Sequence, residues 1–441
     1  MNKKTENKAV SPCQWVPSLY FAQGIPYVVV MSVAVILFKR MGMSNTDIAL
    51  YTSGLNLPWV IKPLWSPLVD LLKTKRWWIV VMQILVGAGL AGIALTIQGP
   101  LAFRYCLAFM WLLAFSSATH DIAADGFYML GLNEKKQAYF VGIRNTFYRF
   151  AVIFGQGILV MFAGWLEQRY AREMPETAAI PQAWSLTFYL LTILFALLFV
   201  YHYLFLPHPR RDTCTLPPQQ ASAGRVFKEF LGTFTSFFQK KHIVSALIFI
   251  LLYRFAEAQL VKITSPFLLD TPATGGLALS TAEVGFIYGT IGVIALTIGG
   301  IVGGIAMARR GLKSCLWTMT IAMNLPNIVY LYLSFARPES IGIISGCVAI
   351  EQFGYGFGFT SLTYFMMLFS NGKHQTAHYA ICTGFMALGL MLPGMISGWI
   401  EESIGYRAFF VWIMLCTIPS FWATHLVRKN LTDNHSDNSS R

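Results

Sequence analysis

The heptapeptide HDIAADG at 120–126 sets two aspartates, Asp121 and Asp125, four residues apart in a run that is mostly apolar back to Leu101. Carboxylates there can carry a proton, pair with a cation or line a polar path. They are not expected to face hydrocarbon, where an ionised side chain costs about 3 kcal/mol on insertion scales. Seven further ionisable residues fall inside apolar stretches: Lys62, Arg144, Arg149, Arg254, Glu257, Lys262 and Glu351. One such residue is compatible with a buried structural pair. Nine imply a polar, water-accessible cavity, and five cations against four carboxylates lean it toward an anionic solute.

Depth along the chain separates their roles. Counted from a turn near Leu132 and Asn133 at 1.5 Å per residue, Asp121 and Arg144 reach similar heights of roughly 17 Å. They are therefore expected to be partners, either static or exchanged during transport, with a direct proton or substrate role for Asp121 as the alternative. Asp125 lies nearer the basic loop KTKR at 73–76 and can act as a gating ion pair. Arg254 and Glu257, three apart, share a helix face. Arg254 and Glu351 both fall roughly 18 Å along their helices, near the midplane, and are expected to pair there. His120 is either a proton relay beside Asp121 or a buried, hydrogen-bonded ring. Lys62 either contacts ligand or packs under Trp65, and Lys262 either joins the cavity or snorkels to the surface. The proton-coupling or gating candidates are Asp121, Asp125, His120, Arg144, Glu257 and Glu351. The substrate-binding candidates are Lys62, Arg149, Arg254, Glu351, Tyr20, Gln23, Trp65, Tyr148, Tyr253 and Gln352, several of them aromatic walls of the kind sugar rings favour.

The elements that must position these residues are membrane helices. The chain has 441 residues, 55% hydrophobic and 12% charged, about half the charge of a soluble domain. At about 20 apolar residues per span, twelve spans are expected: 15–38, 47–69, 77–97, 101–128, 138–165, 183–206, 242–266, 281–306, 312–335, 339–369, 375–400 and 405–427. Lys and Arg crowd alternate loops, including Lys3, Lys4, Lys8, Lys73, Lys75, Arg76, Lys135, Lys136, Arg210, Arg211, Arg309, Arg310, Lys313 and Lys373. The intervening loops hold only Lys39, Arg40, Arg169, Arg172, Arg337 and Arg407. This bias puts both termini in the cytoplasm. The start is read as an uncleaved first span.

The segment 207–241 divides the chain. It opens Pro-rich and closes with RVFKEFLGTFTSFFQKK, an expected surface-lying amphipathic helix with Lys228, Lys240 and Lys241 toward headgroups. On either side lie six-span bundles, 1–206 and 242–430, and 431–441 is an expected disordered tail. The halves echo each other: LYFAQ at 19–23 with LYRFAE at 252–257, and Asp121 with Glu351. Such repeats are the plan of many secondary transporters.

Other chemistries lack their residues. The net charge of +13 sits in loop clusters rather than a stripe, which excludes nucleic acid. The seven scattered cysteines make no disulfide framework and no metal site. No GxxxxGK[ST] phosphate loop occurs, so movement of solute must draw on a gradient, and no cofactor is expected. An intramembrane aspartyl hydrolase needs carboxylates converging from different elements, whereas Asp121 and Asp125 share one helix. The chain is read as a non-enzyme.

The stretches FAQGIPY (21–27), KPLWSPLVD (62–70), FSSATHDIAADG (115–126), YRFAVIFGQG (148–157), LYRFAEA (252–258), TAEVGFIYGTIGVIALTIGGIVGG (281–304) and IEQFGYGFG (350–358) resemble the AmpG-like muropeptide permeases of the major facilitator superfamily. Acetyl-CoA transporters share part of the pattern. The resemblance implies an all-α membrane protein of twelve helices in two pseudo-symmetric bundles, monomeric, in the bacterial inner membrane. It also implies proton-driven import of N-acetylglucosaminyl-1,6-anhydro-N-acetylmuramic acid, with or without peptide, for cell-wall recycling. Its charged core would be Lys62, Asp121, Asp125, Arg149, Glu257 and Glu351, with the lactyl carboxylate suiting the cationic surplus. His120 stands where the family usually has Gln, and Arg254 and Glu257 where it has Lys and Asp. A different anionic solute, acetyl-CoA-like, or an exporter is the alternative reading.

Overall fold

Local signals start several helices. Ser44 and Thr74 accept the backbone N–H groups of Asp47 and Trp77, capping helices Asn45–Gly54 and Lys75–Thr96. Ser280 and Glu283 close a reciprocal capping box before Thr281–Val284. Each cap satisfies donors that a helix cannot pair internally. The computed structural model describes residues 11–209, 212, 232, 234–372 and 375–438, and every regular element among them is helical. Lys3, Lys4, Lys8, Arg210, Arg211, Lys228 and Lys373 lie outside the described residues.

Eight described stretches are long and apolar enough to cross a membrane. Two of them, Thr281–Ala336 and Ala377–Asn430, break at glycines with positive φ, Gly311 and Gly405. At Gly311 the chain doubles back, since Cys315 Sγ lies 3.5 Å from the Ala306 carbonyl oxygen nine residues earlier. A straight helix would separate them by about 13 Å. Ile341–Ser370 and the consecutive helices Asn45–Gly54 and Leu57–Leu72 add two more membrane-length segments. Together these make the twelve expected spans.

Contacts gather into two units. The first comprises Met1–Val28, Trp65–Val152 and Ser185–Ala221; the second comprises Val29–Leu64, Ile153–Trp184 and Ser222–Arg441. Two of the boundaries fall where α-helix gives way to π-helical turns, Val29–Val33 and Ile153–Ile158. In the first unit the core is Trp15, Leu19, Tyr20, Phe127, Tyr128 and Leu206 with their neighbours. In the second it runs through Phe249, Tyr253, Leu316, Met319, Leu362, Phe365 and Cys382. Lipid removes most of the hydrophobic drive between helices, so close backbone approach at small residues holds them together. A Cβ on Gly299 would sit 2.1 Å from the Phe353 carbonyl oxygen, and one on Gly356 would sit 2.0 Å from that of Leu296. The glycine runs at 299–311 and 353–359 are thus a packing seam.

The described end of the linker departs from expectation at Lys240. Phe237 is buried in the second unit's core against Phe369, His378 and Phe385. Lys240 donates to the carbonyls of Phe369 and Asn371 at the end of helix Ile341–Ser370 instead of facing headgroups, because those terminal carbonyls lack helical partners. Helix Ile418–Asn438 also runs into the expected tail; extending a formed helix costs far less than starting one.

Candidate functional site

The first unit gathers one charged cluster. Helix Ala102–Gly131 carries Asp125, helix Glu134–Val152 carries Arg144, and helix Pro12–Val28 carries Tyr20. The Arg144 guanidinium lies 3.3 Å from Asp125 Oδ1, which also accepts the Tyr20 hydroxyl at 3.0 Å. The same guanidinium also lies against the rings of Tyr20 and Tyr128, at 4.5 and 5.3 Å, which meet each other edge to face. A cation in contact with two aromatic rings and one carboxylate is oriented as well as paired. The contact with Asp125 puts Arg144 one turn from the height at which it was expected to meet Asp121. Asp121 is half-buried and within electrostatic reach of Tyr148. Lys75 runs over Gly126, beside Asp125.

Tyr148 faces Tyr27, ring centroids 6.5 Å apart, and half-buried Arg149 adds its charge beside it. Gln23 is buried, and its Oε1 has no hydrogen-bond partner among the described residues. The Trp65 indole packs on Phe115 at 5.7 Å, and its N–H has no such partner either. Lys62 is half-buried on helix Leu57–Leu72.

His120 does not turn toward Asp121. Its Nε2 lies 3.2 Å from the Gln83 amide, which reaches the His202 Nδ1 at 2.8 Å, and His202 Nε2 meets the Ser18 hydroxyl at 3.0 Å. Successive residues on a helix point about 100° apart, so adjacency in sequence does not bring the two side chains together. The Ser18–His202–Gln83–His120 chain is buried except at Ser18, and sequence reasoning missed its other three members.

In the second unit the expected pair between Arg254 and Glu351 is absent. Arg254 donates to the Tyr355 hydroxyl and stacks on Tyr355 and Phe359 at 5.0 and 4.9 Å. The cause is a helix break: Ile243–Leu252 ends, Phe255–Leu269 begins, and Arg254 is the non-helical junction at φ −108, ψ 23. Counting height along an unbroken helix misaims such a side chain. Glu351 instead accepts Tyr330 at 3.0 Å and Gln352 at 2.9 Å, all three buried. Buried Glu257 interacts electrostatically with Glu351 and Arg254. One oxygen of each glutamate, Glu257 Oε2 and Glu351 Oε1, has no hydrogen-bond partner among the described residues. Tyr253, expected to bind substrate, is a core residue. Its hydroxyl is shared between the Gly358 carbonyl and Ser361 at 3.0 and 2.8 Å.

At one end of the second unit, helix ends from both halves of the sequence meet in a polar network. Lys39 pairs with Asp270 at 2.7 Å and donates to Asn45 at 2.8 Å. Asn45 donates to Glu401 at 2.6 Å and to Tyr406 at 2.9 Å, and Tyr406 donates to Asp270. Arg40 bridges Glu167 at 3.1 Å and Glu176 at 2.9 Å, while Glu167 also accepts Trp184 and Thr281. The signal was available: residues 40, 167, 270 and 401 close the first, fifth, seventh and eleventh expected spans, and odd-numbered spans of an alternating chain end on one side.

The sequence model of the Major Facilitator Superfamily matches residues 18–376. The chain is 24% identical to the anhydromuropeptide permease of Escherichia coli K12 over 94% of this chain and 79% of that one. It is 25% identical to putative transporter AmpG 4 of Rickettsia conorii, over 92% and 93%. Among solved structures, a D-xylose–proton symporter superposes with a TM-score of 0.69 at 12% identity, covering 94% of this chain and 96% of that one. The nucleoside transporter NupG does so at 0.67 and 15%, covering 93% and 98%.

Proposed function

This chain belongs to the Major Facilitator Superfamily, a family of membrane transporters and not of enzymes, and from that premise we propose that it imports anhydromuropeptides with protons across the bacterial inner membrane. It would work as a monomer with cytoplasmic termini, by alternating access between the bundles 1–206 and 242–430. The substrate class rests on resemblance to relatives named for anhydromuropeptide transport, spread over more than nine-tenths of the chain.

The observation that carries the proton reading is the glutamate pair. Glu257 and Glu351 are buried, interact, and each leave an oxygen without a partner. Two carboxylates in a low-dielectric site resist carrying two charges at once, so a proton bound there responds to whatever charge arrives beside it. The coupled proton rides on this pair. The Asp125–Arg144–Tyr20 cluster acts as the gate of the first bundle, and the Lys39–Asp270 latch shuts the outer side.

Uptake of labelled N-acetylglucosaminyl-1,6-anhydro-N-acetylmuramic acid into proteoliposomes, with and without an inward proton gradient, tests the proposal. Accumulation that requires the gradient is expected. Absence of uptake, with acetyl-CoA or another anion moving instead, would overturn the muropeptide assignment.

A further inference from the structure

In the polar network at the Lys39 end of the second unit, one carboxylate lacks a cation of its own. Glu401 lies between the eleventh and twelfth expected spans, is 4% exposed, and accepts the Asn45 amide at 2.6 Å. The ion pairs among the described residues there run from Lys39 to Asp270 and from Arg40 to Glu167 and Glu176. Lys39 is relayed to Glu401 through Asn45, whose side-chain oxygen takes the ammonium at 2.8 Å while its N–H groups go to Glu401 and Tyr406. The Tyr406 hydroxyl is in turn given to Asp270. Arg337, which borders Gly275 together with Tyr406, donates to the Pro272 carbonyl at 3.0 Å. Glu402, exposed and bonded to Thr46, adds a negative charge beside Glu401. The centre of the network therefore sets one ammonium, Lys39, against the carboxylates of Asp270 and Glu401.

The burial of Glu401 depends on one helix crossing. Gly398, three residues before it, meets helix Asn45–Gly54 at its first residue: a Cβ there would lie 1.9 Å from the Asn45 carbonyl oxygen. Gly394, one turn earlier, meets Ser53 near the other end of the same helix, at 2.6 Å from its hydroxyl oxygen. While that helix is seated, it keeps water from Glu401; when it lifts, the carboxyl is hydrated and loses Asn45. A carboxylate sealed from water without a paired cation resists its charge. Burial pushes the Glu401 carboxyl up to about 7; the Asn45 hydrogen bond and Lys39 oppose that rise, and Asp270 and Glu402 add to it.

We propose that Glu401 is a proton lock on this network, holding a proton while the helix ends are together and giving it to water when they part. The inference rests on the reading of the network as the latch of the outer side, and adds that each closure takes up a proton from the water there. Acid on that side then drives the latch shut. A hydrated glutamate titrates near about 4.3, and the seated one is raised. The proton's contribution to closure is therefore complete below about pH 4.3 and is lost as pH rises through about 7.

The test follows a single cysteine at Thr52, fully buried on helix Asn45–Gly54, in the full chain freed of its native cysteines and reconstituted in liposomes. Its labelling by an impermeant thiol reagent is compared, at each pH, with that of the same chain carrying Glu401→Gln, which imitates the protonated form. The comparison cancels the ionisation of the thiol itself. The ratio of the two rates, parent over variant, is expected to rise about 20-fold between about pH 5.5 and about pH 7.5. A ratio that stays constant within about twofold, or that falls, overturns the lock. Asp270→Ala separates this failure from failure of the latch. With a flat ratio, faster labelling in Asp270→Ala leaves the latch standing without the lock. A rising ratio with unchanged labelling in Asp270→Ala supports the lock and removes the Lys39–Asp270 pair from the latch.

Discussion

Truncating Asp270 to alanine offers a direct measure of the latch. Lys39 and Asp270 are 2.7 Å apart with side chains 14% and 18% exposed. Removing one partner of a fully buried pair costs about 3–5 kcal/mol, whereas exposed pairs are worth under about 1 kcal/mol. Lys39 keeps its bond to Asn45, and Tyr406 keeps its own contact with Asn45. The loss should therefore fall between those limits, at about 2 kcal/mol, which multiplies the open-to-closed ratio at that end about 30-fold. The readout is a cysteine at Thr52, fully buried on helix Asn45–Gly54, in a chain whose seven native cysteines are replaced. Its labelling by a membrane-impermeant thiol reagent, applied from the side of the Lys39 end, should accelerate by that factor in Asp270→Ala. Adding Lys39→Met should recover part of the change, because the double variant leaves no unpaired charge. A labelling rate within about twofold of the parent, or strictly additive effects of the two substitutions, would refute the assignment of this ion pair as a latch.

Three further outcomes are expected. Glu351→Gln and, separately, Asp121→Asn should reduce accumulation to the level seen without a proton gradient while substrate counterflow persists; full accumulation in either variant removes that residue from the coupling path. His202→Leu strips the bridge between Ser18 and Gln83 and should destabilise the protein by about 2 kcal/mol, read as a lower denaturation temperature, whereas Gln at 202 should restore much of it. Gly289→Ala puts a Cβ 2.0 Å from the Gln156 carbonyl oxygen and should cost about 2–3 kcal/mol through overpacking. Gly304→Ala, which meets nothing within 4 Å, should leave the denaturation temperature unchanged.

Particular residues show where sequence reasoning reached and where it stopped. The break between the eighth and ninth spans was legible from run length and from Arg309, Arg310 and Lys313 between them, and the structure turns the chain there at Gly311. The glycine seam was legible because small residues at close spacing permit backbones to touch. The partner of Arg144 was not, because a height count cannot distinguish Asp121 from Asp125 one turn away. The fate of Arg254 was hidden by a helix break that no local residue announces. The His202–Gln83 bridge joins residues 119 positions apart, a separation that no periodicity encodes.

By itself the sequence determined the solvent, the number of membrane-length helices and the ionisable residues within them. These follow from composition and run length, since hydrocarbon tolerates few charges and a helix advances a constant distance per residue. Tertiary structure alone decided which carboxylate holds Arg144, that the Tyr253 hydroxyl is tied to Gly358 and Ser361, and that Lys39 and Arg40 meet Asp270, Glu167 and Glu176. Those outcomes depend on how each helix is rotated and where it bends, and packing against distant segments sets both.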